Sequence, residues 1–471
     1  MLSSQLTGLL DSAPAGVTDA LAVVDGFDAA LERGLARLDP ASTEALAGLA
    51  DAMAATPLGP AVGEAVDKLA TGSVADGHIA ALAGARTALL GAVHDALLSG
   101  LDTARGQARD PLPAAGAPAP AAGNVLAGSR SWLTELAITG WLGVDRDIAS
   151  GGGQTIEALL SDPARRRLAV LLDGLAAELQ ASCPIAAMGD VPARRWADLW
   201  TRAVVLSQDG GPLATAAPAT EASGRLLPLG ADVHEHGTAV QVQVHAVFEP
   251  AGGGAARLVR ATVAAAKVDA VVGPAVWKLF ADHPVLLGAL AGQQSVDITG
   301  MPLLDSGDLL WDDGRAAPGE PADPFATARL RLTDAAASAV PALDRHPVRI
   351  AEPVLVEGYK ATKPKGDGPP KISFVLDGVE LPVDTGRLPA AGPLTAKLVA
   401  ASSACIGLMR WDAGGWALQP LGVQTTVKRQ PTVLHNGDWA LGPTDPKVAK
   451  AEARNDALAV LQERAGRLLR K

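Results

Sequence analysis

His234-Glu235-His236 is the stretch of this chain whose residue types and spacing are best suited to chemistry. Residues two apart on an extended backbone share a face, so His234 and His236 can reach one metal ion, with His245 or the weaker Glu235 as a third ligand. A second group, Asp305, Asp308, Asp312 and Asp313, crowds around Trp311 and offers the oxygen ligands that suit Mg²⁺ or Ca²⁺, without the spacing of an EF-hand. Built around His234, His236 and Asp308, such a site would serve a metal-dependent hydrolase. Each group also has a plain structural reading: solvated histidines at a strand entry, and an acidic loop with a tryptophan in the core.

Two sets of basic residues suggest binding instead. Lys360, Lys363, Lys365 and Lys371 surround Gly366-Asp367-Gly368-Pro369-Pro370, where ammonium groups can pair with phosphates. Tyr359, Phe374, Trp411 and Trp416 are the aromatics on which bases would stack, unless their strands turn them into a core. Residues 345–445 carry 11 Lys and Arg against 9 Asp and Glu, which is hardly a basic domain. Arg194, Arg195 and Arg202 share a charged face with Asp198 and are candidates for contact with a protein partner. No Gly-x-Ser-x-Gly elbow, P-loop or strand-bound Gly-x-Gly-x-x-Gly is present, and neither cysteine has a nearby histidine in sequence. No cofactor is expected.

The elements that must position these residues change period along the chain. Residues 1–109 read as a helical bundle, with Asp39-Pro40 marking a cap and a first-turn proline. Residues 110–124 are a Pro/Ala-rich linker and 125–208 a second helical unit. In that unit Trp196, Leu199, Trp200, Ala203 and Val204 recur at the spacing of one helix face, expected to close against the Leu168–Leu179 stripe. A second linker at 209–223 leads into an α+β unit over 224–345, where Thr238–Phe248 alternates as a strand, Arg257–Val263 pairs with it, and Ala326–Leu332 reads as another strand.

Residues 346–445 read as a small β-barrel. Its strands are Val348–Val356, Ile372–Leu376, Val379–Val383 across Asp377-Gly378, Cys405–Trp411, and Trp416–Val423, with a helix at Leu394–Ala401. A helix between the third and fourth of five strands is the order of an OB-fold. Residues 446–471 form an amphipathic C-terminal helix with Leu458, Leu461, Ala465 and Leu468 on one seam. The fold class is therefore multidomain: an all-α N-terminal half of helical bundles, then an α+β unit, an OB-like barrel and a C-terminal helix.

Composition bounds what this architecture can do. The chain of 471 residues is 48% hydrophobic but only 3% aromatic, so its cores must be built from Leu, Val and Ala. A net charge of −11 argues against general attraction to nucleic acid or anionic membranes. Two cysteines, Cys183 and Cys405, suit a reducing compartment, and the first Lys or Arg is Arg33, so a cytoplasmic protein without a signal peptide or membrane span is expected. The reading that follows is a non-catalytic scaffold or protein-protein interaction component with one or more protein partners. A nucleic-acid-associated factor using the barrel and the metal-dependent hydrolase are the alternatives.

Overall fold

The computed structural model describes residues 3–11, 13–111, 126–162, 165–208, 219–362, 372–427 and 429–454. Most of both linkers lies outside them, as do Pro163, Lys363, Lys365, Lys371 and the seam from Leu458 to Leu468.

Among the described residues ten α-helices make up the N-terminal half: α1 (Ser3–Leu10), α2 (Val17–Arg33), α3 (Pro40–Met53), α4 (Gly59–Ala70), α5 (Asp76–Arg105), α6 (Ala127–Thr139), α7 (Arg146–Ser150), α8 (Gly153–Leu160), α9 (Arg166–Ser182) and α10 (Ala193–Leu206). Local chemistry sets some of the boundaries. Asp39 caps α3 by accepting from the Ser42 amide at 2.6 Å, with Pro40 in the first turn where its missing N–H leaves no carbonyl unpaired. α10 starts after Pro192 without a side-chain cap.

The two expected helical units share one core. Val24, Phe27 and Leu31 of α2, Leu46 of α3, Leu82 of α5, Leu133 of α6, Leu172 of α9 and Trp200 of α10 belong to one apolar cluster. Ala-rich helices with one narrow apolar stripe each bury little alone, so they are covered by one another. Trp200 lies 6.5 Å from Phe27 and donates to the Leu133 carbonyl at 2.8 Å, while Trp196 meets Trp141 edge-on at 5.9 Å. The tryptophan face thus contacts several helices in addition to α9. Past the end of α2, Leu35 donates to the Ala137 carbonyl at 2.8 Å, and the chains cross at Gly34 and Gly140. A Cβ on Gly140, at φ +72°, would stand 2.2 Å from the Gly34 nitrogen.

Helix α5 is long enough to enter two cores. Its first half lies in the helical core, while Val93, Leu97, Leu98 and Leu101 join Leu6 and Leu9 of α1 in the core of the second sheet described below.

The first sheet contains β1 (Ala219–Glu235), β2 (Ala239–Pro250), β3 (Arg257–Ala266), β4 (Gln294–Leu304), β5 (Asp308–Leu309) and β6 (Ala316–Pro321), with α11 (Pro284–Gly292) between β3 and β4. Its order is β1-β2-β3-β5-β4-β6, and β1 also pairs with β4, so five strands form a ring. The long β1 makes this possible, since residues 219–226 face β4 and 224–235 face β2. β3 and β5 run parallel and the other neighbours antiparallel.

Three expectations for this unit need correction. Residues 219–223, read as linker, belong to β1. Ala326–Leu332, read as a strand, is helical: α12 spans Pro324–Arg331, capped by Asp323, which accepts from the Phe325 amide at 2.8 Å. The Arg-Leu-Arg-Leu alternation fits either period, but the Asp-Pro cap and the burial of Phe325, Ala328 and Leu332 select the helix. The chain after the Asp305–Asp313 group, expected to be an acidic loop, continues through Pro318 and Pro321 as the edge strand β6, where proline costs no ladder bond.

The second sheet contains β7 (Ala351–Glu357), β8 (Lys360–Ala361), β9 (Ile372–Leu376), β10 (Val379–Val383), β11 (Ser402–Asp412), β12 (Gly415–Val427) and β13 (Gln430–His435), with α13 (Ala396–Ala400) between β10 and β11 and α14 (Pro446–Arg454) at the end. Its path runs β7-β11-β12-β10-β9-β8, with β13 beside β12. Because β8 follows β7 across Gly358, the path returns to its own first strand. β10 and β12 are parallel, as β3 and β5 are, so both sheets share one connectivity. Asp377 and Gly378 both have positive φ (48° and 92°), the geometry of the expected tight hairpin.

The two sheets pack outer face to outer face. Leu227, Leu229 and Val247 of the first meet Ala404 and Ile406 of the second, with Phe325 and Ala328 of α12 in the same cluster. Beside this apolar patch, Asp232 pairs with Arg410 at 2.9 Å and accepts from Gln419 at 2.7 Å. Asn436 donates to the carbonyls of Ala231 and Pro420. Among the described residues no helix is long and apolar enough to cross a membrane.

Candidate functional site

A group of largely buried charges forms where the end of α5 meets the sheets. The last turns of α5 present Asp102 and Arg105, and the chain turns at Gly106 to bring Arg109 alongside. β7 contributes Glu352 from the second sheet. Arg105 Nη1 lies 3.0 Å and Arg109 Nη2 3.2 Å from Glu352 Oε2, while Arg109 Nε is 2.7 Å from Asp102 Oδ2 and its Nη1 donates to the Ser338 carbonyl at 2.7 Å. Burial alone would push the Glu352 carboxyl up, but Arg109 and Arg105 together hold it at about 2.

The first sheet supplies the opposite wall. Arg260 on β3 makes a bidentate pair with Asp308, both N···O distances 2.9 Å, and Ser306 Oγ donates to Asp308 at 2.7 Å. His245, opposite Arg260 in the ladder, is 2% exposed, and burial with the neighbouring Arg260 charge pushes its imidazole well below the usual range. His245 Nε2 and Ser338 Oγ are buried without a hydrogen-bond partner among the described residues. Both line a cavity of about 40 Å³ that also touches Arg109, Arg260 and Glu352. It adjoins a cleft of about 530 Å³ bounded by Asp95, Asp102, Arg109, Asp110 and Arg345.

Chemically, this is a balanced set of three guanidinium groups and three carboxylates, each with an opposite partner. His245 and Ser338 share a cavity but are not bonded to each other, and an imidazole held so far down is a poor general base at neutral pH. The Glu352 pairs tie the end of α5 to the second sheet, and Asp110, just beyond Arg109, pairs with Arg257 of the first.

A second buried cluster joins α10 to the connector between the sheets. Arg86, 1% exposed, lies 2.6 Å from Asp28 and 2.7 Å from Asp198, and His346 Nε2 is 3.1 Å from Asp198. Burial would raise Asp198, yet the His346 and Arg86 contacts bring it to about 2.

The structure separates most of the residues singled out from the sequence. His245 and Asp308 lie on strands either side of Arg260, Asp308 is held by Arg260, and Asp305 is exposed on the turn before it. His234 sits opposite Gln241 near the hairpin tip, four residues or roughly 14 Å along β2 from His245. His236 contacts Thr238 Oγ1 at 3.2 Å. The pleat therefore does not converge the three histidines, and among the described residues no group of three or more His, Cys, Asp or Glu is placed to hold a metal. Asp312 accepts from the Gly314 amide, and Asp313 accepts from Trp311 Nε1 and the Val285 amide.

The basic candidates divide in the same way. Lys360 is exposed on β8. The aromatics proposed for stacking on bases are core residues: Tyr359 stacks on Phe374 at 3.7 Å, Trp411 meets Trp416 edge-on at 5.3 Å, and all four are buried. Arg194 pairs with Asp25 and Asp28, and Arg195 with Glu178 at 2.9 Å, so both tie α10 to neighbouring helices. Glu352, Arg105 and Arg109 escape sequence reasoning. A lone acid inside the apolar Val348–Val356 run was the available signal.

No family model matches the chain. Neither the curated proteins nor the solved structures give a match.

Proposed function

We propose that this protein is a non-catalytic, multidomain interaction component of the cytoplasm, a scaffold in which the helical half and two OB-like modules are joined to present outer surfaces to a protein partner. The strand order of each sheet supports an OB-like reading: the first strand, divided between β7 and β8 in the second sheet, is beside the second and fourth, the third is parallel to the fifth, and a helix lies between third and fourth. Such folds usually present the face of strands two and three to a ligand. The observation that carries the reading is what lies over that face in the first module: His245 and Arg260 are on it and line one small cavity with Arg109 and Glu352 of the neighbouring parts, while Arg260 bonds within its own sheet. That end of the surface is covered by the rest of the chain and is not open to a ligand. The cysteines, both unpaired, suit a reducing compartment.

The test is cross-linking mass spectrometry on the chain expressed at native level, followed by reconstitution with the purified partner. A stoichiometric complex that re-forms from purified components supports the reading. A chain that stays without a partner yet binds single-stranded RNA or DNA, with affinity falling steeply as salt rises, would make it a nucleic-acid factor instead.

A further inference from the structure

A groove of about 780 Å³ opens on the second module, between α13, the β12–β13 hairpin and the start of α14. Its apolar wall is made by Pro393, Leu398, Val427, Leu434, Trp439 and Val448, each only partly buried. Apolar surface gathered in one concave place costs free energy as long as water covers it. Helix α14 lines the groove through Val448 and has no fully buried residue of its own. Its far end is fastened, since Lys278 Nζ of the first module lies 3.0 Å from Glu452 Oε1. A helix this short is marginal in water without more apolar contact than that.

Residues 455–471 continue from the fastened end and lie outside the described residues. Asn455-Asp456 is a stop-and-restart signal in the sequence, because asparagine suits the left-handed position after one helix and aspartate caps the next. Beyond it Leu458, Leu461, Ala465 and Leu468 fall at i, i+3, i+7 and i+10, the anchor spacing of a helix laid in a groove. The reach agrees, since a helix over 457–470 would be about 20 Å long and Val448 lies only about 9 Å back along α14 from Arg454. A chain reversed at Asn455 therefore returns past the start of α14 with length to spare.

We propose that residues 455–471 fold back after Asn455-Asp456 and lay the Leu458, Leu461, Ala465 and Leu468 face of a helix into this groove, so that the chain's own segment closes the second module. A separate partner is a poorer occupant. Six partly buried side chains fall short of the roughly 800 Å² that a stable interface buries on each partner. A tethered segment does not need that area, because it acts at an effective concentration of roughly millimolar order.

The test is hydrogen–deuterium exchange of the full chain read by mass spectrometry, with a parallel sample carrying a photo-reactive benzophenone amino acid in place of Gln462, beside the anchor Leu461. Amides of 458–469 should exchange at least about tenfold more slowly than in the isolated 455–471 peptide. Cross-links from position 462 should fall on the 393–398 and 430–439 segments of the same chain. Leu461→Ser combined with Leu468→Ser should abolish the protection and speed exchange around the groove, leaving the rest of the exchange map unchanged. Leu398→Ser should release the same amides from the groove side, and the cross-links report the location independently should that variant fail to fold. Fast exchange of 458–469 in the parent chain, protection that survives the double substitution, or cross-links outside the groove overturns the proposal. Cross-links between two chains, with protection that rises with protein concentration, would overturn it in favour of a second copy as the occupant.

Discussion

Replacing Glu352 by glutamine tests the junction most directly. The side chain is 15% exposed and stands between Arg105 and Arg109, exposed by 5% and 17%. An ordinary glutamate titrates near 4.5, and this one is held at about 2. That gap corresponds to about 3 kcal/mol of stability supplied by the carboxylate. Glutamine keeps the shape and removes the charge, leaving two buried guanidinium groups short of a partner, so Glu352→Gln should cost about 3–5 kcal/mol at pH 7. Because the folded-state value is depressed, the contribution is complete above pH 4.5 and fades as pH falls toward 2. By pH 3 about 2 kcal/mol of it should be gone. The assay is urea unfolding of both proteins followed by tryptophan fluorescence and circular dichroism from pH 7 to pH 3. The difference between the two proteins should shrink on acidification. A difference below about 1 kcal/mol at pH 7, or one that does not change with pH, would refute the reasoning.

Other substitutions probe other parts of the fold. Trp200→Ala removes a fully buried indole and should cost about 3–5 kcal/mol in chemical denaturation, with a value under about 1 kcal/mol marking Trp200 as a surface residue. Gly140→Ala places a methyl group against the Gly34 backbone and should lower stability by about 2 kcal/mol or more, read as a falling Tm. His435 is buried beside Phe325 with no hydrogen-bond partner for either ring nitrogen among the described residues, and burial pushes it down to about 4. Its contribution is present above pH 6.5 and lost as pH falls toward 4, about 2 kcal/mol by pH 5. His435→Phe should flatten that part of the stability profile, and an unchanged slope between pH 7 and pH 5 would rule out this role.

What the sequence determined by itself is what depends on near neighbours. Asp39-Pro40 starts α3, Asp377-Gly378 closes a hairpin, and the alternation from Val240 to Phe248 makes β2, because a cap, a turn or a face is decided within a few residues. The change from helix to sheet after α10 was legible for the same reason. β1 was obscured because Gly224, Pro228 and Gly230 break its pattern while it serves two partner strands, and α12 because its alternating arginines and leucines fit two periods. Only the tertiary structure joined the helical segments into one core, since each stripe is covered by helices distant in sequence. It alone brought Arg105 to Glu352, 247 residues later, and Arg202 to a connector more than a hundred residues away. It also separated the histidines, because strand register fixes how far apart they lie. A charge in a sequence has no partner until the chain closes around it, so the residues most able to act at this junction could be identified only after folding.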